Sequence, residues 1–114
     1  MGLIIISKDY KTFKIRDDMN KEIFKLKGTV TSMGELIHIP RTGIPDLFKR
    51  VLTIELLDGQ VLYPEVRNQR LKILDREQIE VNDFVELGYT FEGSEKNHKR
   101  YNNIYVNSIK KTKI

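Results

Sequence analysis

Five short segments in which apolar and polar residues alternate dominate this sequence, and only one stretch competes with them at helical spacing. A side-chain period of two marks a strand with one buried face. The first segment, 22–33, reads EIFKLKGTVTSM: Phe24, Leu26 and Val30 share one face, and Lys25, Lys27 and Thr29 the other. Gly28 interrupts the inner row, where a glycine signals a bend or bulge. A loop rich in proline and glycine follows over 34–45 and contains His38. In the second strand, 49–57, Leu52, Ile54 and Leu56 point inward, and Asp58-Gly59 is a strong hairpin turn signal. The third strand, 60–67, turns Leu62 and Val66 inward and Tyr63, Glu65 and Arg67 outward. Pro64 cannot donate to a ladder, so the pattern predicts an exposed edge there.

Asn68 is a suitable N-cap for a short helix over 69–78, which carries Leu71 and Leu74 at helical spacing. The fourth strand, 84–91, places Val85, Leu87, Tyr89 and Phe91 on one face, which makes Tyr89 a core residue rather than a ligand contact. A polar loop over 93–100 leads to the fifth strand, 101–109. There Ile104 and Val106 face one way, and Tyr101, Asn103, Tyr105 and Asn107 the other. Three strands, one short helix and two strands, with a glycine-bent first strand, describe an all-β, five-stranded OB-fold barrel with its helix between strands three and four. An SH3-like barrel lacks that helix, and a generic α+β sandwich is the other alternative.

The 114 residues suit one domain and exclude large enzyme scaffolds. The chain contains no cysteine, which removes disulfides and thiolate metal sites. His38 and His98 stand apart, without metal-ligand spacing, and each is expected in a polar loop. The glycines form no phosphate-binding loop and no nucleophile elbow. Asp17-Asp18 reads as a turn. The sequence therefore implies no metal, no cofactor and no enzymatic activity. Leu3–Ile6 is too short for a signal-peptide core or a membrane span, and is expected to form a short strand or to pack on a neighbouring surface. A cytoplasmic location, with no membrane, is the expectation.

The net charge of +4 is uneven. Residues 91–114 carry six cations and two anions, whereas 1–90 balance. A local basic region suits a polyanion, most often nucleic acid, although a solvated tail has the same composition.

The segments FKRVLTIELL, YPEV, NDFVELGYTFEG and RYNNIYVNSI, together spanning much of 22–110, resemble a family of small bacterial OB-fold proteins. The layout is similar to that of bacterial single-stranded DNA-binding proteins. Positions that carry the resemblance are Lys49, Arg50, Tyr63, Pro64, Asp83, Val85, Gly93, Tyr101, Asn102 and Ile104. Asn82 stands where the family has glycine, and this chain lacks the tryptophans many members carry. The division that follows is an N-terminal extension over 1–21, an OB-fold domain over 22–110 and a basic tail over 111–114.

OB-folds that bind single strands combine a basic groove with exposed aromatics on which bases stack. The outward tyrosines Tyr63, Tyr101 and Tyr105 are the candidate platform. Arg41, Lys49, Arg50, Arg67, Lys96, Lys99 and Arg100 are the candidate phosphate contacts. The expected partner is single-stranded DNA, with RNA second, and a homo-oligomer is expected. The alternative is a protein-interaction or oligomerisation module without nucleic-acid binding, because tyrosine and arginine also suit subunit interfaces.

Overall fold

The computed structural model describes residues 22–114, so Leu3–Ile6, Asp17-Asp18 and the rest of the stretch expected to be an N-terminal extension lie outside the described residues. The elements are β1 (Phe24–Met33), β2 (Ile37–Ile39), β3 (Leu47–Leu56), β4 (Val61–Leu62), β5 (Glu65–Arg67), a 3-10 turn (Asn68–Arg70), α1 (Leu71–Arg76), β6 (Phe84–Lys96) and β7 (Lys99–Lys111). β1 pairs antiparallel with both β3 and β6. β3 pairs with β5, β6 pairs with β7, and a parallel contact between Glu65 of β5 and Tyr105 of β7 closes the ring. This is the expected OB-fold barrel, with β4 and β5 together forming its third strand and α1 between the third and fourth.

β1 serves two neighbours because it bends. Gly28 lies opposite Leu56 on one side and Val85 on the other, and a register shift follows between Val30 and Ser32. A Cβ at Gly28 would come within 2.6 Å of Ile54 Cγ2 and 2.8 Å of the Glu55 carbonyl oxygen. Only glycine lets the two strands approach this closely. The alternating rows then meet in one core: Val30, Leu52, Ile54, Val66, Val85, Leu87, Val106 and Ile109 from the barrel, with Leu74 and Ile79 from α1 and the segment after it. Each such side chain contributes about 1.5–3 kcal/mol when taken fully out of water.

Several local expectations change. Pro64 is fully buried rather than placed at an exposed edge. It breaks the third strand into β4 and β5, and its carbonyl accepts the Leu52 N–H at 2.9 Å, so the missing donor falls at the break. Asn68 is not a cap: it sits at φ +49°, and its Oδ1 accepts the Phe48 N–H at 3.1 Å, tying the 3-10 turn to β3. The loop expected over 93–100 is instead the end of a long hairpin. β6 runs to Lys96 and β7 starts at Lys99, joined through Asn97 and His98 at φ +53° and +65°. Two consecutive positive φ angles suit the twist of paired strands, and asparagine tolerates them. Polar residues on both sides of this arm hide its strand period from sequence inspection.

Tyr89 is half-buried rather than a core residue. It forms a surface cluster with Phe24 and Phe91, with ring centroids 5.2–5.8 Å apart. The register along β7 explains how the core continues without it. Ser108 lies opposite Gly88 and Val106 opposite Tyr89, which leaves Asn107 as an extra residue. That bulge turns Val106 and Ile109, three positions apart, into the same core.

Gly28→Ala should lower the unfolding free energy by about 1–3 kcal/mol, because the added methyl group meets backbone as well as side chain. Urea denaturation of the folded chain measures this, and an unchanged midpoint would contradict the close approach described here.

Candidate nucleic-acid interface

The outer surface of β3, β5 and β7 follows from the same alternation that builds the core. Leu52 and Ile54 are fully buried, so Lys49, Val51 and Thr53 take the other side of β3. Register then aligns Lys49 with Arg67, Val51 with Glu65, and Glu65 with Tyr105. The result is a compact cluster. Glu65 Oε1 receives Arg67 Nε at 2.9 Å and Lys49 Nζ at 3.3 Å. The Arg67 guanidinium lies over the Tyr105 ring, with Cζ 4.3 Å from the centroid. Burial pushes the Tyr105 phenol above its ordinary pKa, and the Arg67 charge opposes that shift. Of the expected site residues, the structure thus brings Lys49, Arg67 and Tyr105 together.

Sequence reasoning had not assigned Glu65 to the site. The signal was present, since Tyr63, Glu65 and Arg67 share an outward row. What alternation cannot show is the register that places Lys49 opposite Arg67.

Arg50 goes elsewhere. It shares strand parity with Leu52 and lies opposite the buried Val66. Its Nη1 donates to the Gly34 carbonyl at 2.9 Å, and it lines a hollow with Met33, Leu71 and Asp75. It therefore anchors the start of the loop after β1 rather than joining Lys49. The remaining candidates occupy the two ends of the face. Because β5 and β7 run parallel, Tyr63 and Tyr101 both lie on the N-terminal side of the Glu65–Tyr105 pair. Tyr63 is 63% exposed and Tyr101 47%. Beyond them the β6–β7 arm carries Lys96 opposite Lys99 and Arg100 opposite Glu95.

The other end is the loop between β1 and β3, which contains Arg41 and the short strand β2. Ile37 of β2 lies opposite Lys49, and the exposed Ile37 and Ile39 border the cluster. His38 is on β2, not in an irregular loop, and its ring stacks on Phe48 at 4.5 Å with an interplanar angle of 5°. His38 Nε2 and Asp46 Oδ2 are 2.8 Å apart, and the Arg41 N–H donates to Asp46 Oδ1 at 3.2 Å. Arg41 Nε donates to the Pro45 carbonyl at 2.9 Å. The hydrogen bond from His38, then that from the Arg41 backbone, holds the Asp46 carboxyl below the usual carboxylate value of 3.8.

No family model matches the chain, and no curated protein does. Solved structures do. One is the second OB-fold domain of replication protein A from Methanococcus maripaludis, with 11% identity and a TM-score of 0.55 over 76% of this chain and 80% of that one. Another is a mitochondrial single-stranded DNA-binding protein from S. cerevisiae, with 11% identity and a TM-score of 0.57 over 82% of this chain and 97% of that one. The chain has an OB-fold. At this identity the likeness speaks for architecture, and the site must be argued from its own residues. Among the described residues no cluster of three or more His, Asp or Glu could hold a metal ion, and no helix is long and apolar enough to cross a membrane.

A lowered carboxyl pKa means that the His38–Asp46 contact contributes stability above the ordinary value and loses it as pH falls through the lowered one. In an NMR titration the Asp46 carboxyl should change below pH 3.8, and His38→Ala should move that midpoint upward. A midpoint that ignores His38→Ala would mean that the contact does not hold the loop in solution.

Proposed function

We propose that the outer face of β3, β5 and β7 binds single-stranded nucleic acid, DNA before RNA, without reading a defined sequence. The observation that carries this reading is the convergence of Lys49, Arg67 and Tyr105 on one strand face of an OB barrel. Cations supply contacts to a phosphate backbone, and a planar surface beside them supplies stacking for unpaired bases. The loop between β1 and β3 borders one end, and the exposed β6–β7 arm, with Lys96, Lys99, Arg100 and Tyr101, extends the other. The local excess of positive charge over 91–114 supports the same direction. Two solved structures of this architecture come from a replication protein and a single-stranded DNA-binding protein, which agrees with the reading. Binding, not catalysis, is the activity this surface suits.

The expected homo-oligomer fits a different surface. Phe24, Tyr89 and Phe91 cluster with Phe91 52% exposed, and the neighbouring Ile23 is equally open. An assembly through these rings would leave the basic face free. Light scattering tests this: Phe91→Ser should reduce the particle mass towards that of one chain, with oligonucleotide binding retained. Loss of binding instead, with no change of mass, would assign these rings to the ligand.

For the main reading, fluorescence anisotropy with a labelled 20-nucleotide strand is decisive. Affinity should fall steeply between about 50 and 200 mM salt, as phosphate contacts require. Tyr105→Ala should weaken binding roughly tenfold, the scale of one lost base stack, and Lys113→Ala should have little effect. Absence of binding at low salt would favour the protein-interaction alternative.

A further inference from the structure

Taking that face as the binding surface, we infer that its base-stacking platform is the guanidinium of Arg67, with Tyr105 as the support behind it. The tyrosine ring is not an open face. Arg67 Cζ stands 4.3 Å over its centroid, and Tyr105 is only partly exposed. The guanidinium is held by its Nε edge, which donates to Glu65 Oε1 at 2.9 Å. Glu65 is in turn fixed by Lys49 Nζ at 3.3 Å, and its side chain is only 15% exposed. The Arg67 side chain retains 34% of its surface.

These contacts decide between two ways a base could stack here. To reach Tyr105 from the covered side, a base would have to displace Arg67 from both the ring and Glu65. That would leave a half-buried carboxylate with Lys49 as its remaining partner, and stripping a partner from such a group is costly. Stacking on the outer side of the guanidinium breaks nothing. The group is planar, delocalised and weakly hydrated, and unpaired bases stack on arginine planes as they do on aromatic rings. Its two Nη groups can meanwhile donate to a phosphate oxygen or to an acceptor on the base. The ligand this describes is a strand with unstacked bases, since the bases of a duplex offer no open face. Tyr105 and Glu65 are positioning residues: one supports the plane from behind and the other fixes its edge.

Arg67→Lys separates this role from simple charge, because lysine keeps the positive charge and loses the plane. The test uses anisotropy with two labelled 20-nucleotide strands, one of thymidines and one of abasic sites with the same phosphates. Arg67→Lys should bind the thymidine strand about tenfold more weakly than wild type, with an unchanged salt slope, and the two proteins should bind the abasic strand alike. Arg67→Gln, which keeps a planar amide and loses the charge, should lower the salt slope by about one and retain more of the preference for thymidine over abasic strand than Arg67→Lys. Thermal melting identifies a variant that does not fold, in which case the other variant decides. Tyr105→Phe keeps the supporting ring and should match wild type. Arg67→Lys within twofold of wild type on thymidines, or an equal loss on both strands, would overturn the inference while leaving the proposed function intact. A wild-type protein that binds neither strand at low salt would overturn the proposed function itself.

Discussion

The barrel closes through a strand of three residues. β5 is Glu65–Arg67, confined between Pro64, which has no N–H, and Asn68, which leaves the strand at positive φ. Within it, Val66 fills the core, and Glu65 and Arg67 face outward beside β3 and β7. The parallel contact between Glu65 and Tyr105 therefore does two things at once. It completes the ring of strands that shelters the core, and it sets Tyr105 beside the Glu65–Arg67 pair. A shift of one residue in β5 would expose Val66 and bury two charges, so the core fixes the register of the face.

Electrostatics at that face is local and partly compensated, unlike that of the chain as a whole. The net positive charge resides on the arm and the C-terminal end, whereas the cluster on the barrel pairs two cations with one carboxylate. The two regions suit different tasks. Cations on an exposed arm act at a distance and are screened by salt. Cations tied to a shielded carboxylate act at contact, where their geometry matters more than their number.

Much of this architecture is legible in the sequence because alternation encodes which side of a strand meets the core. The rows of β3, with Leu52 and Ile54 inward, and the turn at Asp58-Gly59 are direct examples. Three things were hidden. The bulge at Asn107 changes parity within β7, so alternation alone does not show that Val106 and Ile109 meet one core. Arg50 adjoins Lys49 in sequence but takes the opposite side, which two consecutive basic residues do not reveal. Pro64 depends on context: a residue that suits an edge also suits a break between two strands, and only the folded neighbours decide. For the site, residue types were readable and their partners were not, because Lys49, Glu65, Arg67 and Tyr105 meet across three strands.

The β6–β7 arm has a consequence for the cost of order. From Phe91 to Asn102 its residues are exposed, and among the described residues each of its two strands is paired there with the other strand alone. An isolated two-stranded ribbon is marginal in water, since it fixes many dihedral angles for little burial. This part of the molecule thus gives up its conformational entropy with the smallest return. Any body laid along it would supply the missing contacts and bear the ordering cost, trading affinity for tolerance of varied shapes. The barrel provides a fixed surface, and the arm provides an adaptable one.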